Sequence, residues 1–263
     1  MVVLSVNLNK VAWLRNAREG ALPSVTAAAR TAIDAGAGGI TVHPRPDLRH
    51  IRPGDVHALT ELLTKHPDIE FNIEGNPFAD ARDNGFPGFD ALIEAARPAQ
   101  ATLVPDDDNQ LTSDHGFDLR GDQSALADKV QRYQSLGARV SLFMDPDLAQ
   151  IDRAAELGVE RIELYTGPFA DVVADTGVDS NASNACLQRF QEAATHAASC
   201  GLKVNAGHDL DLPNLPLFLT IPEVCEVSIG HALISRALDL GLAASVSAFA
   251  QLVDDANTTR ATR

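Results

Sequence analysis

Short apolar runs alternate with longer amphipathic segments along the whole chain of 263 residues. The short runs are rich in β-branched residues and have the length of strands that are buried on both faces. One of them ends in the stretch VNAGHDL at 204–210, where a glycine and a histidine follow the apolar residues. The predicted strands cover residues 2–8, 39–43, 69–74, 101–104, 140–144, 161–165, 202–206 and 224–229.

The segments between these strands carry apolar residues three and four positions apart, which is the period of an amphipathic helix. Within residues 53–63, for example, four apolar side chains fall on one face. Helices are predicted at 23–36, 53–63, 89–96, 123–136, 148–157, 184–200 and from residue 231 onward. Because parallel strands need such long crossovers, the alternation favours an α/β fold, a (β/α)8 TIM barrel with additional helices, over a doubly wound sheet.

No change in composition divides the chain into parts. A hydrophobic content of 45% is enough to fill one large core. We therefore predict a single barrel domain over residues 1–253. The last residues, 254–263, are polar and without period, and they predict a frayed C-terminal tail.

The charge balance limits the possible partners. A formal net charge of −15 argues against non-specific binding to nucleic acid or to an anionic membrane, because both depend on an excess of lysine and arginine. The three cysteines have no CxxC spacing, so neither disulfides nor a zinc ribbon is expected. With no spanning segment and no secretory signal in the sequence, we expect a cytoplasmic protein.

In a barrel, the residues at and after the strand ends should be polar and chemically useful. The sequence meets that expectation after nearly every strand, and most of its histidines fall at these positions. The rim residues are Asn7, Asn9, Lys10, His43, Arg45, His50, Glu74, His115, Glu163, Thr166, His208, Gly230 and His231.

Two of these segments are candidate phosphate sites. HPRPDLRH at 43–50 offers arginine donors on a loop that prolines stiffen; the alternative is a solvated loop with an internal Asp47 to Arg49 pair. SIGHA at 228–232 takes a strand through Gly230 directly into a helix, whose free amides suit an anion. Its alternative is ordinary strand-to-helix packing, which also favours glycine.

Glu74 and Glu163 lie at or inside apolar strands, where an unpaired carboxylate is costly to bury. One interpretation is a glutamate held by an arginine. The other is a carboxylate that moves protons together with His43 and His208. A metal site is a third possibility, because with His231 these residues have donor types that suit zinc or manganese, although no HxH or HExxH spacing is present.

Together the motifs resemble the family of pyridoxine 5′-phosphate synthases of the deoxyxylulose-dependent vitamin B6 pathway, in the same order over residues 2–240. They are VNLNKVAWLRNAR (6–18), GITVHPRPDLRHI (39–51), FNIE (71–74), IELYTG (162–167), LKVNAGH (202–208) and IGHALISRA (229–237). The resemblance implies a cytoplasmic transferase that is a homo-octamer built from dimers and needs no metal or organic cofactor. Its substrates would be small phosphorylated molecules: 3-amino-2-oxopropyl phosphate condenses with 1-deoxy-D-xylulose 5-phosphate to give pyridoxine 5′-phosphate, phosphate and water.

The resemblance also implies residue roles. His43 matches the catalytic histidine of the second strand, Glu74 the proton acceptor, His208 the proton donor, and Glu163 the residue that stabilises the charged transition state. Deoxyxylulose phosphate would be bound by Asn9, Lys10, Arg45, His50 and Thr112. The amino-ketone phosphate would be bound by Asn7, Arg18, Asp209, Gly230 and His231.

The chain departs from the family pattern in three places. Many members have Asp-His where this chain has Asn9 and Lys10, and a glycine where it has Asp209. The segment 75–88 is longer than usual, and we predict a loop or short helix over the rim, or an assembly contact. Two rival functions remain: a metal-dependent barrel aldolase or isomerase, and a protein that binds phosphorylated sugars without catalysis.

Overall fold

The strands pair in sequence order, each in parallel with the next, until β8 closes on β1. A computed structural model describes residues 1–262. The strands are β1 (Val3–Asn7), β2 (Gly39–Val42), β3 (Glu70–Gly75), β4 (Gln100–Leu103), β5 (Arg139–Met144), β6 (Arg161–Tyr165), β7 (Lys203–Gly207) and β8 (Val224–Ile229). This closed barrel with helices around it is the (β/α)8 fold that the alternating pattern predicts.

The helices are α1 (Asn9–Asn16), α2 (Val25–Asp34), α3 (Pro53–Leu63), α4 (Phe89–Ala96), α5 (Ser124–Ser135), α6 (Leu148–Glu156), α7 (Gly167–Thr176), α8 (Asn181–Ser199), α9 (Leu215–Phe218), α10 (His231–Leu240) and α11 (Leu242–Ala261). Every predicted helix is present. The sequence did not predict α1 and α7, which begin two residues after a strand end, or α9, a short helix of four residues between β7 and β8. The single final helix is in fact two, because Gly241 has a φ of 81° and ends α10.

The prediction of a frayed tail is wrong for the residues that the structure describes. Helix α11 continues to Ala261, and Asn257 exchanges two hydrogen bonds with the backbone of Val2, at 2.6 and 2.9 Å. Arg260 donates to the carbonyls of Leu219 and Val224 at 2.9 and 2.7 Å. These contacts hold the polar end of the chain against the barrel, although its sequence has no apolar period. Arg263 lies outside the described residues.

The hydrophobic core lies between the strands and the helices, whereas the barrel interior is polar. Alternate strand residues point inward and form a buried hydrogen-bonded layer of Ser5, Thr41, Asn72, Gln100, Thr102, Arg161, Asn205 and Glu226. Because side chains alternate with a period of two, the next inward residues towards the carboxyl end include Glu74 and Glu163. The strand geometry therefore carries polar groups up to the mouth of the barrel.

Two further observations concern the predicted class of protein. Among the described residues, none of the helices combines the length and the apolar character that crossing a bilayer requires. Cys186, Cys200 and Cys225 are free thiols in this structure.

Candidate active site

A cavity of about 280 Å³ opens at the carboxyl ends of the strands. It collects residues from β1, β3, β5, β6 and β8, from helix α1, and from the loops after β2, β4 and β7. The predicted site residues that line it are Asn7, Asn9, Lys10, His43, Arg45, His50, Glu74, Thr112, Glu163, His208, Asp209, Gly230 and His231. Residues separated by more than two hundred positions in the sequence thus face one space.

Arg18 is the one predicted site residue that does not line this cavity. It is exposed, in the irregular segment between α1 and α2. His115 is also exposed and forms a hydrogen bond with Asp114 at 2.6 Å. A position just after a predicted strand end therefore does not by itself show that a side chain faces the cavity.

The Asn9 side chain supports the second strand. Its Oδ1 accepts a hydrogen bond from the backbone N–H of His43 at 2.8 Å. An aspartate would offer the same acceptor, so asparagine preserves this contact. Lys10, the other departure, lies over the ring of Trp13 at 4.7 Å, and burial together with Arg45 lowers the pKa of its ammonium. Trp13 also lines the cavity and was not found from the sequence.

The two histidines of the 43–50 loop are buried as neutral rings. Burial, with Arg45 and His50 nearby, holds the pKa of His43 well below its ordinary value. Burial and the neighbouring arginines lower the pKa of His50 to about 3. His50 Nδ1 accepts from the Ile51 N–H at 2.9 Å, which leaves Nε2 to carry the proton. His50 is therefore a neutral donor.

Arg45 is anchored by Asp106, a residue that the sequence analysis missed. Asp106 lies just beyond β4, is buried, and is ion-paired with Arg45. It also accepts from Ser113 Oγ at 2.8 Å and lies 4.0 Å from His43 Nε2. Burial raises the pKa of Asp106, and Arg45 opposes that shift. The sequence signal that could have identified Asp106 is the acidic run after the fourth strand, in VPDDD at 104–108.

The 43–50 loop contains the Asp47 to Arg49 pair and also faces the cavity, where its phosphate-binding role stays a prediction. Its residues His43, Arg45 and His50 line the cavity. Arg49 instead pairs with Asp47, with Nε 2.5 Å from Oδ2, and donates to the carbonyl of Gln110 at 2.9 Å. Part of the loop is thus a candidate anion site, while the rest fastens the loop to its neighbour.

Glu74 is not held by an arginine. Its Oε2 accepts a hydrogen bond from Asn7 Nδ2 at 3.3 Å. Burial, with Glu226 and Asp106 as neighbouring charges, raises its pKa to about 8, and Arg45 opposes this only in part. A carboxyl group with such a pKa exchanges its proton near neutral pH. The glutamate that is held by an arginine is Glu226, 2.8 Å from Arg161.

Glu163 is the second buried carboxyl group of the mouth. Its Oε2 has no hydrogen-bond partner among the described residues. Burial, with Glu74 next in importance, raises its pKa well above the ordinary value. Gly207 gives it room: a Cβ at that position would lie 2.7 Å from Glu163 Oε1. The pair offers two carboxyl groups with raised proton affinity in one cavity.

The VNAGHDL segment turns through an unusual backbone. His208 and Asp209 have φ values of 65° and 57°, in the left-handed region that glycine prefers. Aspartate is among the residues that tolerate this region best, so Asp209 can occupy a turn position that favours glycine. Asn214 Nδ2 donates to the Asp209 carbonyl at 3.1 Å. Thr166 Oγ1 donates to the His208 carbonyl at 2.6 Å.

The His208 ring is held over the cavity by neighbours from three elements. Its Nε2 lies 2.9 Å from Thr112 Oγ1 in the loop after β4. Phe143 and Tyr165 pack against the ring, with centroids 5.8 and 5.4 Å away. Burial lowers the pKa of His208, and Asp209 opposes this. The structure therefore brings Thr112, which spacing alone did not single out, onto a candidate catalytic histidine.

The helix start predicted at 228–232 is present. Gly230 is the N-terminal cap residue of α10, and His231 is its first residue. A Cβ on Gly230 would lie 3.1 Å from the Asn7 Cβ, so the strand and helix meet tightly there. The free N–H groups of the first turn lie at the cavity, which is the geometry of an anion site.

The segment 75–88 is a loop at the rim, one of the outcomes predicted for it. Asn76 donates to the Asp106 carbonyl and Asn84 to the Pro46 carbonyl, both at 2.8 Å. These bonds connect the loops that carry His43 and Asp106. The segment 75–88 thus fixes the position of the 43–50 loop, which is a candidate phosphate site.

The mouth does not gather metal ligands closely. Of residues 1–262, the only three His, Cys, Asp or Glu side chains with ligand atoms within 4.8 Å of one another are Asp152, His196 and Cys200, outside the mouth. The histidines and carboxylates of the mouth instead surround a space that is large enough for a small molecule.

Comparison with known proteins shows which family the chain resembles along almost its whole length. A family model described as pyridoxal phosphate biosynthesis protein PdxJ matches residues 4–255. The chain is 54% identical over 253 residues to pyridoxine 5′-phosphate synthase of Xanthomonas oryzae pv. oryzae (strain MAFF 311018), covering 96% of each chain. It is 51% identical over 255 residues to the same enzyme of Xylella fastidiosa (strain 9a5c), covering 97% of this chain and 95% of the relative.

Solved structures with the same fold are more distant. A 3-hexulose-6-phosphate synthase superposes with a TM-score of 0.58 at 16% identity, covering 95% of this chain and 99% of that one. Phosphoribosyl anthranilate isomerase of Thermus thermophilus superposes with a TM-score of 0.55 at 15% identity, covering 97% and 99%. At such identities the likeness concerns the barrel alone.

Proposed function

The chain belongs to the PdxJ family of pyridoxal phosphate biosynthesis proteins, and from that membership we propose how its barrel mouth works as a pyridoxine 5′-phosphate synthase. The substrates are 3-amino-2-oxopropyl phosphate and 1-deoxy-D-xylulose 5-phosphate. Amine and ketone condense, protons are moved along the joined chain, and the pyridine ring closes with release of phosphate and water.

Two anion sites hold the reactants together. Lys10, Arg45 and His50 bind the deoxyxylulose phosphate beside Asn9 and Thr112. The amides at Gly230 and His231 bind the amino-ketone phosphate. Holding both reactants in one cavity removes the entropy cost of a bimolecular encounter from the chemical step, and it is the reason for having two anchors.

Arg18 and the Asn7 and Asp209 positions complete the second anion site in this proposal. Asn7 packs directly against Gly230. Asp209 contributes through its backbone, which turns at the rim with a φ of 57°. Arg18 reaches the phosphate by movement of the exposed segment that carries it. A carboxylate beside a phosphate is unfavourable, so this arrangement requires the Asp209 side chain to turn away from the bound anion.

The acid and base groups lie between the two anchors. Glu74 takes a carbon-bound proton, His208 returns a proton to the departing oxygen, and His43 assists the carbonyl chemistry of the deoxyxylulose chain. Glu163 lies where positive charge develops on the imine nitrogen, and that charge would lower its raised pKa and stabilise the carboxylate.

One observation carries the proposal: Glu74 and Glu163 are buried in the mouth beside two neutral histidines, and neither is hydrogen-bonded to an arginine or lysine among the described residues. Purely structural carboxylates at that depth would be paired, as Glu226 is. The test is to mix both phosphorylated substrates with metal-free protein and to record the absorbance of a pyridine product. Substrate binding without product would instead indicate a phospho-sugar-binding protein.

A metal-dependent aldolase or isomerase is the rival enzyme. In that case chelation would abolish turnover and a divalent ion would restore it. In the synthase that we propose, catalysis needs no metal or organic cofactor, and chelated protein retains full activity.

We also propose an octamer built from dimers, in the cytoplasm. The free cysteines suit a reducing compartment. The exposed side chains of Leu14, Leu22, Leu238 and Leu240 are apolar groups that a second copy would cover in such an assembly. Analytical ultracentrifugation at several protein concentrations tests the assembly, and a monomer at all of them would contradict it.

A further inference from the structure

A second cluster of reactive side chains lies outside the barrel, where α6 packs against the end of α8. Asp152 belongs to α6, His196 to the last turn of α8, and Cys200 caps that helix. Asp152 Oδ1 lies 2.6 Å from His196 Nε2 and 3.5 Å from Cys200 Sγ, and the sulfur lies 3.8 Å from the same nitrogen. Three different kinds of metal ligand thus form one small triangle.

The triangle has nearly the size of one face of a tetrahedral zinc site. Zinc bonds to oxygen, nitrogen and sulfur of about 2.0 to 2.3 Å give edges of roughly 3.3 to 3.6 Å. The two edges that meet at sulfur are within a few tenths of an ångström of these values. The shorter edge is a hydrogen bond, which opens when the metal takes the place of the shared proton. The thiol donates a hydrogen bond to the same carboxylate oxygen, so both protons of the cluster lie on the edges that a metal would take over.

The backbone fixes two of the three ligands. His196 and Cys200 are four residues apart, and the Cys200 N–H donates to the His196 carbonyl at 3.1 Å, so both side chains share one face. The C-terminal end of α8 carries partial negative charge, as the C-terminal end of any helix does, and the chain as a whole has a net charge of −15. The surroundings therefore favour a cation. Asp152 is exposed and the other two are half-buried, so an ion has access from solvent.

We propose that Asp152, His196 and Cys200 bind one Zn²⁺ ion per chain, with water in the fourth position. Binding releases the thiol proton to solvent, and the proton that His196 Nε2 shares with Asp152 moves to Nδ1, so that a neutral imidazole binds the metal through Nε2. The ion connects α6 to α8 and stabilises the packing of two helices on the outer wall. This site is separate from the barrel mouth, and its occupancy does not depend on the synthase mechanism.

The test uses full-length protein kept reduced with a non-thiol reductant. Titration with Co²⁺ should give the visible absorption of a tetrahedral ion and a near-ultraviolet thiolate-to-cobalt band, both saturating at one ion per chain. Zn²⁺ should displace the cobalt and raise the melting temperature. C200S should abolish the thiolate band, and both C200S and H196A should weaken Zn²⁺ binding on the order of tenfold or more.

The matched control is C186S, which removes a thiol from the same helix at a position that shares no contact with Asp152. It should leave the cobalt spectrum and the Zn²⁺ affinity unchanged. All three variants should retain pyridine formation, which shows that they fold. The proposal is overturned if folded wild-type protein gives no tetrahedral cobalt spectrum, or if the thiolate band persists in C200S.

Discussion

Replacing Glu74 by glutamine should make the protein inactive and more stable at once. Burial raises the pKa of Glu74 to about 8 from an ordinary 4.5. The unfolded chain loses this proton near pH 4.5, whereas the folded chain keeps it until about pH 8. The contribution of Glu74 to stability is therefore fully present below pH 4.5 and is lost as the pH rises towards 8. Glutamine removes that pH-dependent loss and can still accept from Asn7.

The magnitude follows from the pH difference. Neutral pH lies about 2.5 units above the ordinary pKa, and each unit corresponds to about 1.4 kcal/mol, so E74Q should gain roughly 3 kcal/mol at pH 7. At pH 5 the same arithmetic leaves a gain of about 0.7 kcal/mol. Turnover should be abolished, because an amide cannot accept the proton, while the binding of 1-deoxy-D-xylulose 5-phosphate is retained.

Urea denaturation of wild type and E74Q at pH 5, 7 and 8 measures the gain, and calorimetric titration measures binding. The control is E70Q on the same strand, which changes a half-exposed glutamate paired with Arg139 at the opposite end of the barrel. E70Q should be slightly destabilised and should remain active. The reasoning is refuted if E74Q is active, or if its gain in stability does not grow between pH 5 and pH 7.

Substitutions at Arg45, Gly207 and Asp209 test other parts of the site. R45A should raise the Michaelis constant for the deoxyxylulose phosphate about tenfold or more, because charge-assisted hydrogen bonds are lost. The control R49A should raise it much less. Equal Michaelis constants for R45A and wild type would count against Arg45 as a phosphate anchor. G207A should lower kcat by on the order of tenfold to a hundredfold, because its Cβ would displace Glu163, and wild-type kcat would show that this carboxyl group needs no fixed position. D209G should keep its activity and change the free energy of unfolding by less than about 1 kcal/mol. D209V should lower the free energy of unfolding by about 1 to 2 kcal/mol, because a β-branched residue does not tolerate a φ of 57°. Urea denaturation measures both, and equal stabilities would contradict the backbone strain.

The sequence predicted the fold and most of the candidate site for the same physical reason. Parallel strands whose outer faces are covered by helices appear in the sequence as short apolar runs. The connections between them must be long enough to hold a helix. Once that alternation indicates a barrel, the residues after each strand must share one rim, wherever they stand in the chain. His43, Glu74, Glu163 and His208 follow from that rule, and the structure places all four in one cavity.

Only the tertiary structure decided how these residues are paired. Asp106 holds Arg45 across 61 positions, and Glu226, not Glu74, is the glutamate that an arginine neutralises. The positive φ of Asp209 is a property of the folded turn. The polar tail is held in place because Asn257 and Arg260 form hydrogen bonds with backbone groups of the barrel.

The cluster of Asp152, His196 and Cys200 is of the same kind. Its histidine and cysteine are visible in the sequence at helical spacing, but the carboxylate comes from another helix 44 residues earlier. Local periodicity reports which face of an element is buried. Partners, charge states and backbone strain depend on distances between elements, and those distances are set when the barrel closes.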